Sequence, residues 1–405
     1  MRQLKVLIVC EHASSQFGGE AMLPFKYFYY LKELNQEVYL LTHERARSSF
    51  EGMQNVIYIP DTKMHVFLYK LGNYLPDRIA LLTTGVLSHQ VTQLYQWVYA
   101  RKIVKSKNID VIHQAAPVSP KQPSMLFCLG VPVIIGPMNG GIHFPKPFKY
   151  LAGSFERAMQ RLARFASHFF NILIPGKLFA ARLLVANKRT KDALPLFRFG
   201  EVIEVVENAA DKVSENGLRS VQHKAPIKTR VLYAGRLVDW KVVDILIDVF
   251  ALLDNSIHLD IVGDGPDMDK LIKQAENLEN VTFHGWVEHA TINQIYDQVD
   301  IFVLPSIREC GGAVVLEAMA RGVPAIATEW GGPVDYIAEG TGYLIKPKSR
   351  EYMISEFKKH IEMLSGDPEG RREMGVKAKA HIVEHFLWES KVKKMIDIYH
   401  EVINK

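Results

Sequence analysis

The sequence predicts an α/β fold built on two doubly wound, largely parallel sheets, and three observations carry that expectation. Short β-rich apolar runs alternate with helix-period segments from Leu4 onward. These runs fall into two sets. Between the sets, the polar stretch Asp211 to Lys228 has no sustained apolar pattern and reads as a linker. Length agrees, because 405 residues exceed one ordinary core and two domains of about 200 residues each are the natural division.

In the first set, strands are expected near Val6–Cys10, Val38–Thr42, Val56–Ile59, Val111–His113, Val131–Gly136, Leu183–Ala186 and Val202–Val206. The second set lies near Val231–Ala234, His258–Val262, Val281–His284, Ile301–Leu304, Ala325–Ala327 and Gly342–Ile345. A boundary near Asp211 gives a Rossmann-like domain over 1–210, a second over 211–385 and a closing helix over 386–405. In that last segment Val392, Met395, Ile396, Tyr399 and Val402 recur at helical spacing, so it should pack on a neighbour, returning across the cleft towards the N-terminal domain. Doubly wound folds bind ligands outside the carboxyl ends of their strands. Functional residues should therefore directly follow strands.

Composition narrows the class. With 48% hydrophobic and 23% charged residues, both cores can be filled, and a formal charge of +5 does not call for nucleic acid as a partner. Cys10, Cys128 and Cys310 are isolated and lack metal-ligand spacing, which suits a reducing cytoplasm. The apolar run of MRQLKVLIVCEH is shorter than a signal-peptide core and reads as a first buried strand. Phe165 to Ala186 is interrupted by His168, Asn171, Pro175, Gly176, Lys177 and Arg182, which argues against a membrane span.

The densest chemistry lies in Pro305 to Thr328, PSIRECGGAVVLEAMARGVPAIAT, where a strand end, the Gly311-Gly312 turn and a helix start bring together Glu309 and Glu317. A helix N-terminus left uncovered by small residues favours an anion through its unpaired N–H groups and positive dipole end. The alternative is a capped turn with solvated carboxylates. After Val231–Ala234 comes GRLVDWK, in which Arg236 and Lys241 could neutralise a diphosphate or simply be surface cations. In VGDGPDMDKL, Gly263 and Gly265 make a turn, and Asp264 or Asp267 should cap the following helix; Asp264, Asp267 and Asp269 are better read as dipole complements than as a metal cluster. Gly18 and Gly19 follow the first strand, but no GxGxxG is present, which disfavours a dinucleotide-binding dehydrogenase. His113 ends another strand, as either a structural histidine or a cleft residue. Asn139, Gly140 and Gly141 end GPMNGG, which is either a ligand loop or a difficult chain reversal.

Taken in order, GRLVDWK, IVGDGP, FHGWVEH, VDIFVLPS, ECGGAVVLEAMARGVPAIAT and EWGG resemble the retaining glycosyltransferases of family 4, which have the two-domain GT-B fold. FGGE, the DVIH strand end and GPMNGG add a weaker likeness in the first half, and FLWESKVKKMIDIY resembles the family's closing helix. The resemblance implies that Arg236 and Lys241 bind the donor diphosphate with the amides near Gly312 and Ala313. It gives Glu317 to the nucleotide ribose and Glu309 to the transferred sugar. Gly18 and Gly19 would bind the donor phosphate while lining the acceptor side, Gly265 belongs with the donor-binding residues, His113 falls near the donor sugar, and Asn139, Gly140 and Gly141 are acceptor-side candidates. Three positions depart from the family: Val242 and Ala209 stand where glycine is common, and Cys310-Gly311 replaces Gly-Phe.

The resulting expectation is a retaining glycosyltransferase that moves a sugar from a nucleotide-sugar donor to a hydroxyl of a glycan or lipid-linked acceptor, in cell-surface polysaccharide or glycolipid biosynthesis. No cofactor and no metal are expected. The alternatives are a catalytically silent nucleotide-sugar-binding partner in a glycan assembly complex and a phosphorylase of the same architecture. Between Lys146 and Arg182, Lys146, Lys149, Arg157, Arg161, Arg164 and Lys177 interleave with aromatic residues, and Arg157, Arg161 and Arg164 share one helical face. The expected location is therefore cytoplasmic, peripheral on the inner face of an anionic membrane.

Overall fold

The computed structural model describes residues 2–15, 19–75, 80–151, 153, 165–212 and 228–404. The chain divides into two compact units: Met1–Gly141 with Ala158–Glu207 and Lys391–Lys405, and Ile142–Arg157 with Asn208–Ser390.

The first unit is built on seven strands, β1 (Lys5–Val9), β2 (Glu37–His43), β3 (Val56–Ile59), β4 (Val111–Gln114), β5 (Val133–Met138), β6 (Arg182–Val185) and β7 (Glu201–Glu204). They pair in the order β3-β2-β1-β4-β5-β6-β7, every neighbour parallel. A parallel sheet covered on both faces needs strands that are apolar throughout rather than alternating. Leu7, Val9, Leu41, Ile112, Ile135, Leu183 and Val185 accordingly lie in one buried cluster.

The chain's last helix, Trp388–Ile403, closes this unit from residue 391 onward. Its periodic side chains Val392, Met395 and Tyr399 are fully buried. Tyr399 Oη lies 2.7 Å from His113 Nδ1, while His113 Nε2 lies 2.6 Å from the carbonyl oxygen of Gly136, and Tyr27 packs against the imidazole edge. Both ring nitrogens are thus engaged inside the unit. Burial pushes the His113 pKa down to about 4. The unfolded chain, with its histidine near 6.5, therefore binds a proton that the folded chain refuses as pH falls between those values. Stability from this residue is fully present above about pH 6.5 and is lost towards pH 4, by at most about 3 kcal/mol. His113→Gln should lower the urea midpoint at pH 7 but lose less between pH 7 and pH 4.5 than wild type; equal acid losses would contradict the assignment.

The second unit holds β8 (Thr229–Ala234), β9 (Ile257–Val262), β10 (Val281–Gly285), β11 (Ile301–Leu304), β12 (Ala325–Thr328) and β13 (Gly342–Ile345). Their order is β10-β9-β8-β11-β12-β13, again all parallel. Both units are therefore doubly wound, with the chain reversing direction next to β1 and next to β8. The loops leaving β8 and β9 are locked together: the Leu237 amide donates to the Asp264 carbonyl at 2.9 Å, and the Asp267 amide donates to the Leu237 carbonyl at 3.2 Å. A Cβ on Gly265 would sit 2.2 Å from that Leu237 oxygen, so this position requires glycine for close approach. Asp264 accepts the Gly265 amide, whereas Asp267 occupies the N-cap position of Met268–Gln274 without a side-chain capping bond, so the expected cap does not form there.

Val242 stands at φ 42°, ψ 43°, between the short helix Asp239–Lys241 and the helix Val243–Phe250. A β-branched residue in the left-handed region is strained by about 1–2 kcal/mol, at the position where the resembled family favours glycine. Its side chain is buried, so shortening it also removes apolar contact. Val242→Gly should consequently melt no lower than Val242→Ala, reversing the usual ranking of the two residues. A glycine variant about 1 kcal/mol less stable than the alanine variant would refute the strain.

Candidate functional site

The second unit gathers its charged residues at the carboxyl ends of β8 and β11. Arg236 is exposed on the loop after β8, its own carbonyl accepting a 3.2 Å hydrogen bond from the buried Tyr233 hydroxyl. Lys241, five residues on, forms a short ion pair from Nζ to Glu309 Oε2, with both side chains largely shielded from solvent. The backbone ties the same two loops, since the Ile307 amide donates to the Trp240 carbonyl at 3.1 Å. Lys241 and Glu309 are 68 positions apart in sequence and meet because β8 and β11 are sheet neighbours.

Glu309 is fixed from its other side. The Gly332 amide donates to the Glu309 carbonyl at 2.9 Å, and a Cβ on Gly331 would come within 1.9 Å of that oxygen. The EWGG loop after β12 can lie against the ECGG loop only with glycine at that crossing. Gly312 follows at φ 76° as the N-cap of the helix Ala313–Ala320, and no side chain caps the first turn. A Cβ on Gly312 would be 3.2 Å from Glu309 Cγ, so the cation–carboxylate pair and the helix start share one place. That place combines a lysine, a carboxylate and a positive helix end.

Glu317 sits one turn into the same helix, on a side chain held by the Tyr296 hydroxyl at 3.2 Å. Burial, and then the Glu317 charge, keeps that phenol well above its ordinary pKa and hence protonated as a donor. Arg321 packs over Tyr296 and donates to the Glu317 carbonyl. Arg308 stacks near Phe144 and Trp240, and Trp330 Nε1 donates to the His143 carbonyl at 2.7 Å. Tyr233, Tyr296, His143 and Phe144 carry no sequence signal of these contacts, because each is an ordinary residue brought in by tertiary packing.

In the first unit the candidates divide. Gly18 lies outside the described residues, as do Arg157, Arg161 and Arg164. Gly19 is exposed at φ 70°. Asn139 is buried, donating to Glu207 Oε2 at 2.6 Å and accepting from Arg189 and Thr190. Gly140 exchanges hydrogen bonds with Thr190 and accepts from Arg189 Nε. Of the two readings of GPMNGG, these bonds favour the chain reversal, and the engaged ring nitrogens of His113 favour its structural account.

The end of β1 holds a network that sequence reasoning passed over. Glu11 is in a short hydrogen bond with His89 Nδ1 and accepts from Thr92 Oγ1, and Gln93 joins the far side of His89 at 2.7 Å. Burial works against ionisation of Glu11, but the His89 contacts prevail and hold its carboxyl below the ordinary range. The strand-end rule could have flagged Glu11; nothing local marks His89, in the first turn of the helix Val86–Lys107. Among the described residues, His43, Asp61 and His65 bring metal-capable atoms within 4.8 Å of one another, whereas Asp264, Asp267 and Asp269 do not form such a group. Arg45 already makes two hydrogen bonds to Asp61, and the nitrogens of His65 contact Thr62 and Thr92.

Residues 218–381 match the model of a family described as glycosyl transferases group 1. The chain is 28% identical over 294 residues to the sulfoquinovosyl transferase SQD2 of Arabidopsis thaliana, covering 71% of this chain and 55% of that protein. It thus spans about half the length of the curated relatives it matches. A solved glycosyltransferase from Rickettsia africae superposes with a TM-score of 0.68 at 14% identity, covering 100% of this chain and 99% of that one. The Anabaena protein Alr3699/HepE, solved with UDP-glucose, superposes at 0.65 with 17% identity over 98% of this chain and 100% of that one. The chain therefore has the GT-B fold of two parallel-sheet domains, and the match to the group 1 glycosyl transferases lies in residues 218–381.

Proposed function

We propose that this chain is a retaining glycosyltransferase that takes a nucleotide-sugar donor in its second unit and passes the sugar to a hydroxyl of a glycan or lipid-linked acceptor, in cell-surface polysaccharide or glycolipid biosynthesis. The observation that supports it best is the Lys241–Glu309 pair set against the uncapped Gly312–Ala313 helix start. As the bond from the sugar to the diphosphate breaks, negative charge grows on the leaving group. Lys241, Arg236 and the helix-end amides stabilise that charge without reorganising solvent. Glu309 turns its carboxylate to the sugar hydroxyls, and Glu317, steadied by Tyr296, accepts from the ribose.

Transfer proceeds on the front face, the leaving phosphate accepting the acceptor's proton, so no enzyme nucleophile is required. With these cations placed for the diphosphate, the reading needs no metal. His113 acts from the core, positioning β4 rather than touching sugar. Calorimetric titration with UDP-, GDP- and ADP-hexoses tests donor use: one nucleotide class should bind to wild type and bind more weakly to Lys241→Ala. Failure of all three classes to bind would overturn the reading.

A further inference from the structure

Residues 165–199 of the first unit present a surface unlike that of a solvated protein. Residues 165–173 are helical, and Phe165, Phe169, Ile172 and Leu173 recur on one stripe with Phe170 beside it. That stripe faces outward: Phe165 is 79% exposed, Phe169 59% and Leu173 60%. The inward face is polar, with Asn171 buried and donating to the carbonyls of Lys121 and Ser167. This reverses the arrangement of an ordinary surface helix, whose apolar stripe faces the core.

The surface continues beyond the helix. Phe179 packs on Phe199 at 5.7 Å, and the Phe199 amide donates to the Leu178 carbonyl at 3.0 Å, which joins Gly176–Phe179 to the loop carrying Leu196, Phe197 and Phe199. Those three are 74%, 64% and 77% exposed. So many exposed large apolar side chains within 165–199 mark an interaction surface. Its charge selects the partner: of the six basic residues in 165–199, Lys177 and Arg182 are buried and Arg189 is bonded to Asn139 and Gly140, while Lys188, Lys191 and Arg198 reach solvent against the single acid Asp192. Among the described residues no helix is long and apolar enough to cross a membrane.

We infer that this face seats the chain on an anionic lipid bilayer, its phenylalanine and leucine side chains entering the boundary between headgroups and acyl chains while Lys188, Lys191 and Arg198 meet lipid phosphates. The contact is thereby placed on exposed aromatics of the first unit and is independent of the donor-site assignment.

The test uses the full chain and vesicles of phosphatidylcholine with phosphatidylglycerol, against phosphatidylcholine alone. Wild type should sediment with the anionic vesicles at low salt and less so at high salt. The combined variant Phe169→Ser, Phe170→Ser, Phe197→Ser and Phe199→Ser should bind at least about tenfold more weakly while keeping its circular dichroism and melting temperature, because all four side chains are exposed. Hydrogen exchange should show vesicle-dependent protection over 165–179 and 194–200. Four results would each overturn the inference: wild type ignoring anionic vesicles, equal binding by the variant, protection at the exposed Phe67 and Tyr69 face instead, or a wild-type dimer that the four serines convert to monomer without any vesicle binding.

Discussion

Arg236→Ala and Lys241→Ala should each lower sugar transfer by about 100- to 1000-fold with the fold intact, the loss expected when one preorganised donor to a developing anion is removed. The two variants should differ in origin. Arg236 is exposed, so its removal takes only a charge from the diphosphate position. Lys241 is paired with Glu309, and its removal also leaves that carboxylate without its cation next to where phosphate charge would accumulate. Lys241→Ala should therefore raise the donor KM as well as lower kcat, and adding Glu309→Gln to it should partly restore donor binding. Steady-state kinetics beside circular dichroism decide the matter; near-normal turnover in both folded variants would remove the diphosphate assignment.

Glu309 and Glu317 should separate in kinetics although they share one short sequence window. Glu309→Gln is expected to lower kcat about 100-fold while leaving donor KM unchanged or lower, because it removes a negative charge beside the diphosphate position and perturbs only the sugar end. Glu317→Ala should weaken nucleotide binding by about 10- to 100-fold, the range for a hydrogen bond to a charged group. It also leaves the Tyr296 hydroxyl with the Val314 carbonyl as partner, so folding should survive. Nucleotide titration reads the second variant and saturating kinetics the first. The opposite pattern would mean that the donor lies in the reverse orientation.

The fold was legible because both sheets are parallel and their central strands are buried on both faces. Runs such as Val6–Cys10 and Ile301–Leu304 have no solvent face, so they stand out as unbroken apolar stretches, and all thirteen expected strands overlap β1 to β13. Arg236, Lys241 and Glu309 stood out as candidates for the same reason: in this topology a residue just past a strand lies on the ligand edge. What stayed hidden was pairing at long range. Nothing near Lys241 points to Glu309, and nothing near His113 points to Tyr399 on the last helix. The glycines of GPMNGG and the aspartates of VGDGPDMDKL look alike in sequence whether they meet a ligand or their own backbone. The hydrogen bonds of Asn139 and the close approach at Gly265 become visible only in the folded chain.

The most direct measurement on the central claim follows the sugar by proton NMR as the purified chain consumes the nucleotide-hexose it binds, with water and an alkyl glycoside offered as acceptors. The account predicts that the first product formed carries the donor's anomeric configuration and that Glu309→Gln forms it about 100-fold more slowly. A first product of inverted configuration would contradict the front-face mechanism. Firm donor binding with no sugar released or transferred would show a binding partner rather than an enzyme.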